Sequence, residues 1–275
     1  MTVLSFGQTI NVLGPNLGFP GTVSRQGERV ITARQVLLAA PHNINFGDPV
    51  VCVPDQGTIG GSYESVLDYV ATIANLASLS KLFAGSAVRE VKTQLLYPNN
   101  VVPGVQQLGY YSPGQLAEVL QRGSMTVLLS VGAPSTEDQV YTRIALNANV
   151  AAGLIGDYET NPASSTATGD LFTVNTPTAT VNSTTLTLPT AYAGIQVGML
   201  VSGPGIAPNT YVAAGTGTAG AYTAVTLSNA TQQAIAAGVP ITFSNLFALP
   251  GCVIRTGDVD SNSMVEITYK NRVAA

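Results

Sequence analysis

Four side chains with oxygen ligands lie close together in the stretch TGDVDSNSMVEITYKN, residues 256–271. They are Asp258, Asp260, Asn262 and Glu266. A calcium loop of the EF-hand type needs glycine at its sixth position and a bidentate glutamate at its twelfth. Counted from the first aspartate, these positions hold Ser263 and Tyr269. The stretch therefore predicts a turn followed by a strand, because MVEITYKN alternates as a strand does.

Two further motifs could in principle carry chemistry. GTGTAG at residues 215–220 matches the GxGxxG pattern, but a dinucleotide site needs a helix after it and an acid about 20 residues on. A strand pattern follows instead, which predicts a hairpin tip. His42 is the one histidine in the chain, and no GxSxG elbow accompanies it. We expect a surface or capping histidine.

The acidic pairs Glu137–Asp138 and Asp157/Glu159 raise the possibility of glycoside hydrolysis. Adjacent acids in a polar loop are more typical of a solvated turn, and the chain has no tryptophan for a sugar platform. Cys52 and Cys252 lack CxxC spacing and neighbouring histidines, so we expect two buried, reduced thiols. The sequence thus predicts no catalytic residue, no metal and no cofactor.

Composition favours β structure. The 275 residues are 45% hydrophobic and only 9% charged, with 28 glycines and 16 prolines, which is typical of short strands joined by tight turns. The net charge of −4 argues against nucleic acid as a partner. No apolar run reaches the length of a membrane span, and no signal-peptide pattern opens the chain.

A gap in the charges divides the sequence. Residues 171–254 contain no Asp, Glu, Lys, Arg or His, and within them β-branched segments alternate with glycine and proline turns. We therefore expect an inserted, uncharged β module at residues 171–245. Residues 21–170 together with 246–275 would form the main β domain, and residues 1–20 an extended N-terminal arm.

Two segments of the main domain have clear patterns. The apolar run Val50–Val53 predicts a buried strand. Apolar residues at helical spacing predict one substantial helix over residues 63–76, although its β-branched residues weaken helical propensity.

The segments outside the gap resemble a known family. These are NLGFPGTVSRQGERVITAR, INFGDPVV, FAGSAVREVKTQ, GYYSPGQLAEVLQRGSMTV, QVYTRIALN and FALPGCVIRTGDVDSNSMVEITY. In this order they resemble the structural cement (capsid decoration) proteins of tailed bacteriophages, over about residues 15–160 and 246–269. The module at 171–245 departs from the family pattern and looks like a small β module of phage virion surface and fibre proteins.

The resemblance implies a mainly β fold, with a jelly-roll-like β-sandwich or barrel core, the small inserted all-β module and little helix. It also implies a non-enzymatic protein on the outer capsid surface of the virion, assembled in the host cytoplasm. Its partners would be the major capsid protein, whose neighbouring subunits it ties together, and further copies of itself in a dimer or trimer. Candidate capsid contacts are Arg25, Arg29 and Arg34, with the N-terminal arm as a strap.

Two other classes of function stay open. A virion surface adhesin would bind host glycan or receptor through the inserted module, whose candidate surface contacts are Tyr192, Tyr211 and Tyr222. A glycan-active enzyme would need two carboxylates positioned in a cleft, for which Asp157 and Glu159 are the best candidates.

Overall fold

The structure is a computed structural model, and it confirms the mainly β fold class. Among the residues that the structure describes, strands make up 50% and helices 8%, as the glycine and proline content predicted. The residues that the structure describes are 19–25, 29–54, 60–89, 109–146, 153–160, 171–175, 177–192, 194–218, 221–260 and 262–271.

The elements before residue 170 are β1 (Val30–Gln35), β2 (Ile44–Asn45), β3 (Pro49–Val53), β4 (Ser62–Ser65), α1 (Val66–Ala71), a 3₁₀ turn (Ile73–Asn75), α2 (Leu76–Leu82), β5 (Phe83–Ala87), β6 (Tyr110–Tyr111), β7 (Leu116–Val131), β8 (Gln139–Arg143) and β9 (Tyr158–Glu159). Those after it are β10 (Leu171–Val174), β11 (Thr185–Tyr192), β12 (Leu200–Ser202), β13 (Thr210–Thr218), β14 (Ala221–Leu227), β15 (Ile241–Ser244), β16 (Leu246–Ile254) and β17 (Met264–Tyr269).

The 16-residue strand β7 organises the main sheet. Its first half, residues 116–122, pairs with β1 on one side and with β5 on the other. Its second half pairs with β17 over residues 123–128 and, in parallel, with β9 beyond them. One strand therefore belongs to two groups of partners.

Each group closes into a ring. In the first ring, β7, β5, β3 and β4 are neighbours, and Val36 after β1 bridges Tyr63 in β4, which closes the circle. In the second ring, β7 pairs with β17, β17 with β16, β16 with β8, β8 with β9, and β9 with β7. The two rings share β7.

The apolar core follows this division. One cluster fills the first ring, and a larger one fills the second ring and extends under the helices. Strand β3 faces both, since Val50 and Cys52 belong to the first cluster and Val51 and Val53 to the second. A strand buried on both faces reads as a continuous apolar run, which is why Val50–Val53 was predictable.

Two glycines allow β7 to serve both rings. Gly123, where the partners of β7 change, has a φ of 120°, a conformation that side chains with a Cβ rarely adopt. Gly85 in β5 has a φ of 127°, and a Cβ there would overlap the carbonyl oxygen of Leu120. Glycine at this position thus lets β5 lie close against β7.

The predicted helix over residues 63–76 is wrong in its bounds. Residues 62–65 continue as β4, and Ser65 ends the strand by accepting a hydrogen bond at Oγ from the backbone N–H of Asp68 (3.1 Å), which caps α1. Thr72 is extended and separates α1 from the following turn and α2. None of the helices in the described ranges has the length and apolar character needed to span a membrane.

Strands β10 to β15 form a second sheet. Its six strands run in the order β10-β15-β12-β13-β14-β11 and enclose an apolar cluster of their own. Tyr211 and Leu200 reach from this sheet into the larger cluster of the main sheet, while Ala145 joins the cluster of the second sheet. The two sheets therefore pack directly against each other.

Both cysteines lie in the core as free thiols, as predicted. Cys52 faces the first cluster and Cys252 the second. Burial raises the pKa of the Cys252 thiol well above its ordinary value. Ser86 nearby bonds to the hydroxyls of Tyr158 and Tyr269, at 2.5 and 2.6 Å, so this polar cluster is satisfied internally.

We predict that Gly85→Ala destabilises the protein by about 3 kcal/mol or more, because the new methyl group must displace the β7 backbone. Gly238→Ala is the matched control: its φ of 95° is also positive, but nothing lies within 4 Å of the added Cβ. Urea unfolding of both variants measures the difference. Equal losses of unfolding free energy would contradict close strand approach as the cause.

Candidate functional site

The segment Phe19–Arg25 runs along β7 and ends at Arg25, one of the three predicted capsid contacts. Gly21 N–H donates to the carbonyl of Thr126 (2.8 Å), and Ser24 N–H donates to that of Ser124 (3.1 Å). This fixes Arg25 beside β17, where its Nε and Nη2 donate to the two carboxylate oxygens of Glu266 at 2.7 and 2.9 Å.

The Arg25–Glu266 pair is half exposed. The Arg25 side chain is 59% exposed, whereas Glu266 is 6% exposed and also accepts a hydrogen bond from Ser24 Oγ (2.6 Å). Burial opposes ionisation of Glu266, but the bonds from Arg25 and Ser24 outweigh it and hold its pKa below the ordinary value. Glu266 thus holds the guanidinium of Arg25 in place, while more than half of the Arg25 side chain remains exposed.

Arg29 and Arg34, the other two predicted contacts, lie in different surroundings. Arg29 is exposed, and its backbone lies over Gly123, since a Cβ on that glycine would come within 3.3 Å of Arg29 Cβ. Arg34 is half-buried, and its guanidinium lies 5.9 Å from the ring centre of Tyr63 in the first ring. The structure therefore places Arg25 and Arg29 near the middle of β7 and Arg34 away from them.

The acidic residues near the C-terminus form a turn. Asp260 Oδ1 accepts the backbone N–H groups of Asn262 (2.8 Å) and Met264 (2.9 Å), which caps the start of β17. Glu266 turns instead to Arg25. The predicted strand is present, and no group of three or more His, Cys, Asp or Glu side chains within the described ranges could hold a metal ion.

The three tyrosines proposed as surface contacts of the insert are mostly covered. Tyr211 is 8% exposed and packs into the larger cluster of the main sheet. Tyr222 is 9% exposed and lies against Gly215, where a Cβ would overlap its ring. Tyr192, paired in register with Tyr222, is half-buried. Two of the three rings thus serve as packing groups, which the spacing of aromatic residues alone did not reveal.

The carboxylates considered for glycan chemistry have structural partners. Glu159 is 1% exposed and forms a bidentate pair with Arg143, itself fully buried, at 2.5 and 2.9 Å. Gly153 lies directly over this pair, since any Cβ there would meet both side chains. Asp157 Oδ2 accepts the N–H of Leu154 (3.0 Å). Glu159 is therefore an internal counter-ion that no substrate reaches in this structure.

His42 lies at the surface, as predicted, and contacts the side chain of Asp68 in α1. Its Nδ1 is 2.5 Å from Oδ1 of Asp68, a carboxylate that is only 2% exposed. The backbone N–H of His42 donates to Oδ2 of the same residue (3.3 Å). The histidine thereby ties the loop before β2 to the start of α1.

A groove of about 400 Å³ lies between α1 and the segment before β9. Its apolar rim includes Leu67, Leu146 and Leu154, which are 39%, 53% and 63% exposed. Asp48 also lines it. Burial raises the pKa of this carboxyl to about 7, hydrogen bonds from Asn45 oppose the rise, and the charge of Asp157 adds to it.

Comparison of the sequence with known protein families identifies the family of this chain. The sequence model of the family described as "Structural cement protein (E217 gp24/Pam3 gp6)" matches residues 6–198. The chain belongs to the structural cement protein family. A capsid role and a place in the virion follow from this, and the family description is that of a structural protein rather than an enzyme.

The matched residues of this cement protein end before β12, so β16 and β17, which complete the second ring, lie outside the match. A chain in a solved structure titled "The capsid of Myoviridae Phage XM1" is similar at 16% identity, with a TM-score of 0.38, over 92% of this chain and 90% of that one. A search of curated proteins found no match.

We predict that Glu159→Gln destabilises the cement protein by about 3–5 kcal/mol, because it removes the carboxylate charge opposite a fully buried arginine. The control is Glu137→Gln, which weakens the exposed contacts with Arg255 and Lys270 and should cost much less. Chemical denaturation gives both values. A loss at Glu159 no larger than at Glu137 would show that the buried pair is not a structural requirement.

The raised pKa of Asp48 predicts how the stability of the protein depends on pH. The folded-state pKa of Asp48 is raised from 3.8 to about 7, so the folded chain keeps a proton that the unfolded chain has released. This contribution to the free energy of unfolding is therefore present below pH 4 and lost as the pH rises to about 7. We expect Asp48→Asn to flatten the fall in stability over this window, as measured by urea unfolding. The same slope in both proteins would refute the assignment.

Proposed function

We propose that this protein binds the outer surface of the icosahedral shell and ties neighbouring major capsid protein subunits together. The observation that carries this proposal is the pair of closed rings sharing β7. The two rings cannot slide past each other, because they share one continuous strand instead of meeting at a free sheet edge. Contacts made by the two rings are thus held at a fixed separation, as a clamp between two subunits requires.

A rigid shape matters because many identical copies of a cement protein bind the same shell. Each contact with the shell can be modest, since many copies occupy symmetry-related positions and each copy makes more than one contact. Self-association into a dimer or trimer would add contacts in the same way. Assembly would take place in the host cytoplasm, where shells form.

We propose three parts for the chain: an arm at 1–20, the cement domain at 21–170 with 246–275, and the inserted module at 171–245. Two observations support this division. Strand β16, which follows the module, pairs with β8, which precedes it. The module has a separate sheet and apolar cluster.

The arm is proposed as a strap to the shell. Residues 1–18 lie outside the described residues, and the residues that follow them contact the main domain. Phe19 is 46% exposed and lies under the guanidinium of Arg89, whose carbon is 4.4 Å from the ring centre. From there Gly21 and Thr22 bond to β7. A pull on the arm would thus act on the strand that both rings share.

Arg25, Arg29 and Arg34 remain proposed contacts with the shell, and the first two share one region of the surface. The adhesin alternative has less support. It relied on Tyr192, Tyr211 and Tyr222, and the burial of the last two leaves little ring surface for stacking on a glycan.

The direct test adds purified protein to expanded capsids assembled without it. We expect saturable binding at a fixed ratio to the major capsid protein, measured by co-sedimentation, with new density on the shell exterior in negative-stain images. Shells treated with the protein should also resist heating better than untreated shells. Absence of saturable binding would refute the proposed function.

Deletion of residues 2–14 should weaken attachment to the same shells, because it removes most of the strap while leaving the segment paired with β7. The expected result is faster loss of bound protein on dilution, with unchanged thermal unfolding of the free protein. Full-strength binding by the truncated chain would refute a role for the arm, whatever the outcome for the body.

A further inference from the structure

A cleft of about 220 Å³ opens beside the middle of β7. Its lining includes three basic residues, Arg25, Arg122 and Lys270, together with Gly123, Ser124, Thr268 and Tyr269. These residues come from the N-terminal segment, from β7 and from the end of β17. The cleft therefore forms only when β7 and β17 are paired.

Positive charge is concentrated at this cleft in a chain whose net charge is −4. Arg255 lies beside it, because it shares Glu137 with Lys270. Arg29 lies over Gly123 at its margin. Five of the eleven basic residues thus converge here, whereas the described contacts bring in two carboxylates, Glu137 and Glu266.

The two carboxylates hold the cations in place. Glu266, nearly buried, engages Nε and Nη2 of Arg25 and leaves Nη1 without a hydrogen bond among the described residues. Lys270 is 49% exposed and is steadied by Glu137. A partly neutralised, pre-oriented guanidinium and ammonium bind a further anion at a smaller cost in side-chain entropy than free side chains do.

We propose that this basic cleft receives aspartate or glutamate side chains of the shell protein, and that it is the main polar contact of the cement protein with the capsid. The volume accommodates one or two carboxylate side chains, and the fork of an arginine matches a carboxylate. The acidic balance of the whole chain disfavours nucleic acid as the ligand. The inference rests on the proposed function and gives it a site.

The test compares wild type with Lys270→Glu and Arg122→Gln in binding to capsids assembled without the protein. Lys81→Glu is the matched control for Lys270→Glu, since Lys81 is exposed on α2, away from the cleft, and the change in net charge is the same. We expect affinity to fall about tenfold for each cleft variant and to change little for the control. Thermal unfolding verifies that each variant is folded.

Salt dependence gives a readout that a structural role would not move. Binding of wild type and Lys81→Glu should weaken as salt rises, whereas binding of Lys270→Glu should be weaker and less sensitive to salt. Equal affinity of wild type and both cleft variants would overturn the cleft assignment while leaving the proposed function intact. No binding by wild type would instead refute the proposed function itself.

Competition identifies the chemistry of the ligand. A synthetic hexaglutamate peptide should displace wild-type protein from the shells, and inorganic phosphate at the same charge concentration should be a poorer competitor. Displacement by phosphate but not by the peptide would overturn the assignment to protein carboxylates.

Discussion

Both rings of the main domain depend on the sharing of β7. Because its two halves pair with different strands, neither ring can close unless this strand is continuous and in register with four neighbours. Gly123 allows the change of partners, and Gly85 allows β5 to approach. The apolar clusters on either side then depend on the same strand, which contributes Val119 to one and Val127 to the other.

Charge in this molecule is placed so as to serve rigidity and surface contact separately. Arg143 and Glu159 are buried together where β8 meets β9, and their geometry is fixed by bidentate bonding and by the backbone of Gly153. Arg25, Arg122 and Lys270 instead line a cleft at the surface. A structural cement protein needs both arrangements: one to keep its shape and one to contact its neighbours.

Much of the fold was predictable from sequence, because local patterns report burial directly. The run Val50–Val53 and the alternation in β17 identified real strands. The helix was misplaced because Ser65 both ends a strand and caps a helix, which apolar spacing does not register. The division of β7 between two rings depends on long-range pairing and leaves no local signal.

The candidate site was less predictable than the fold. Arg25 and Arg29 were recognised as exposed cations, but their association with Arg122 and Lys270 depends on strands far apart in sequence. Tyr211 and Tyr222 looked suitable for stacking because Tyr is amphipathic, yet packing between the two sheets covers Tyr211 and packing within the second sheet covers Tyr222. A side chain that buries its ring and a side chain that presents it have the same sequence signature.

The attachment of the second sheet has a mechanical consequence. Only Asn245, fully buried, separates β15 from β16, and its carbonyl accepts the N–H groups of Ile144 (2.8 Å) and Ala145 (3.3 Å). Tension applied to the second sheet is therefore transmitted along β16, at right angles to the hydrogen bonds that join it to β8 and β17. Bonds loaded in this direction share the force and break together, so a pull on the second sheet would be borne jointly by the pairings of β16 with both neighbours.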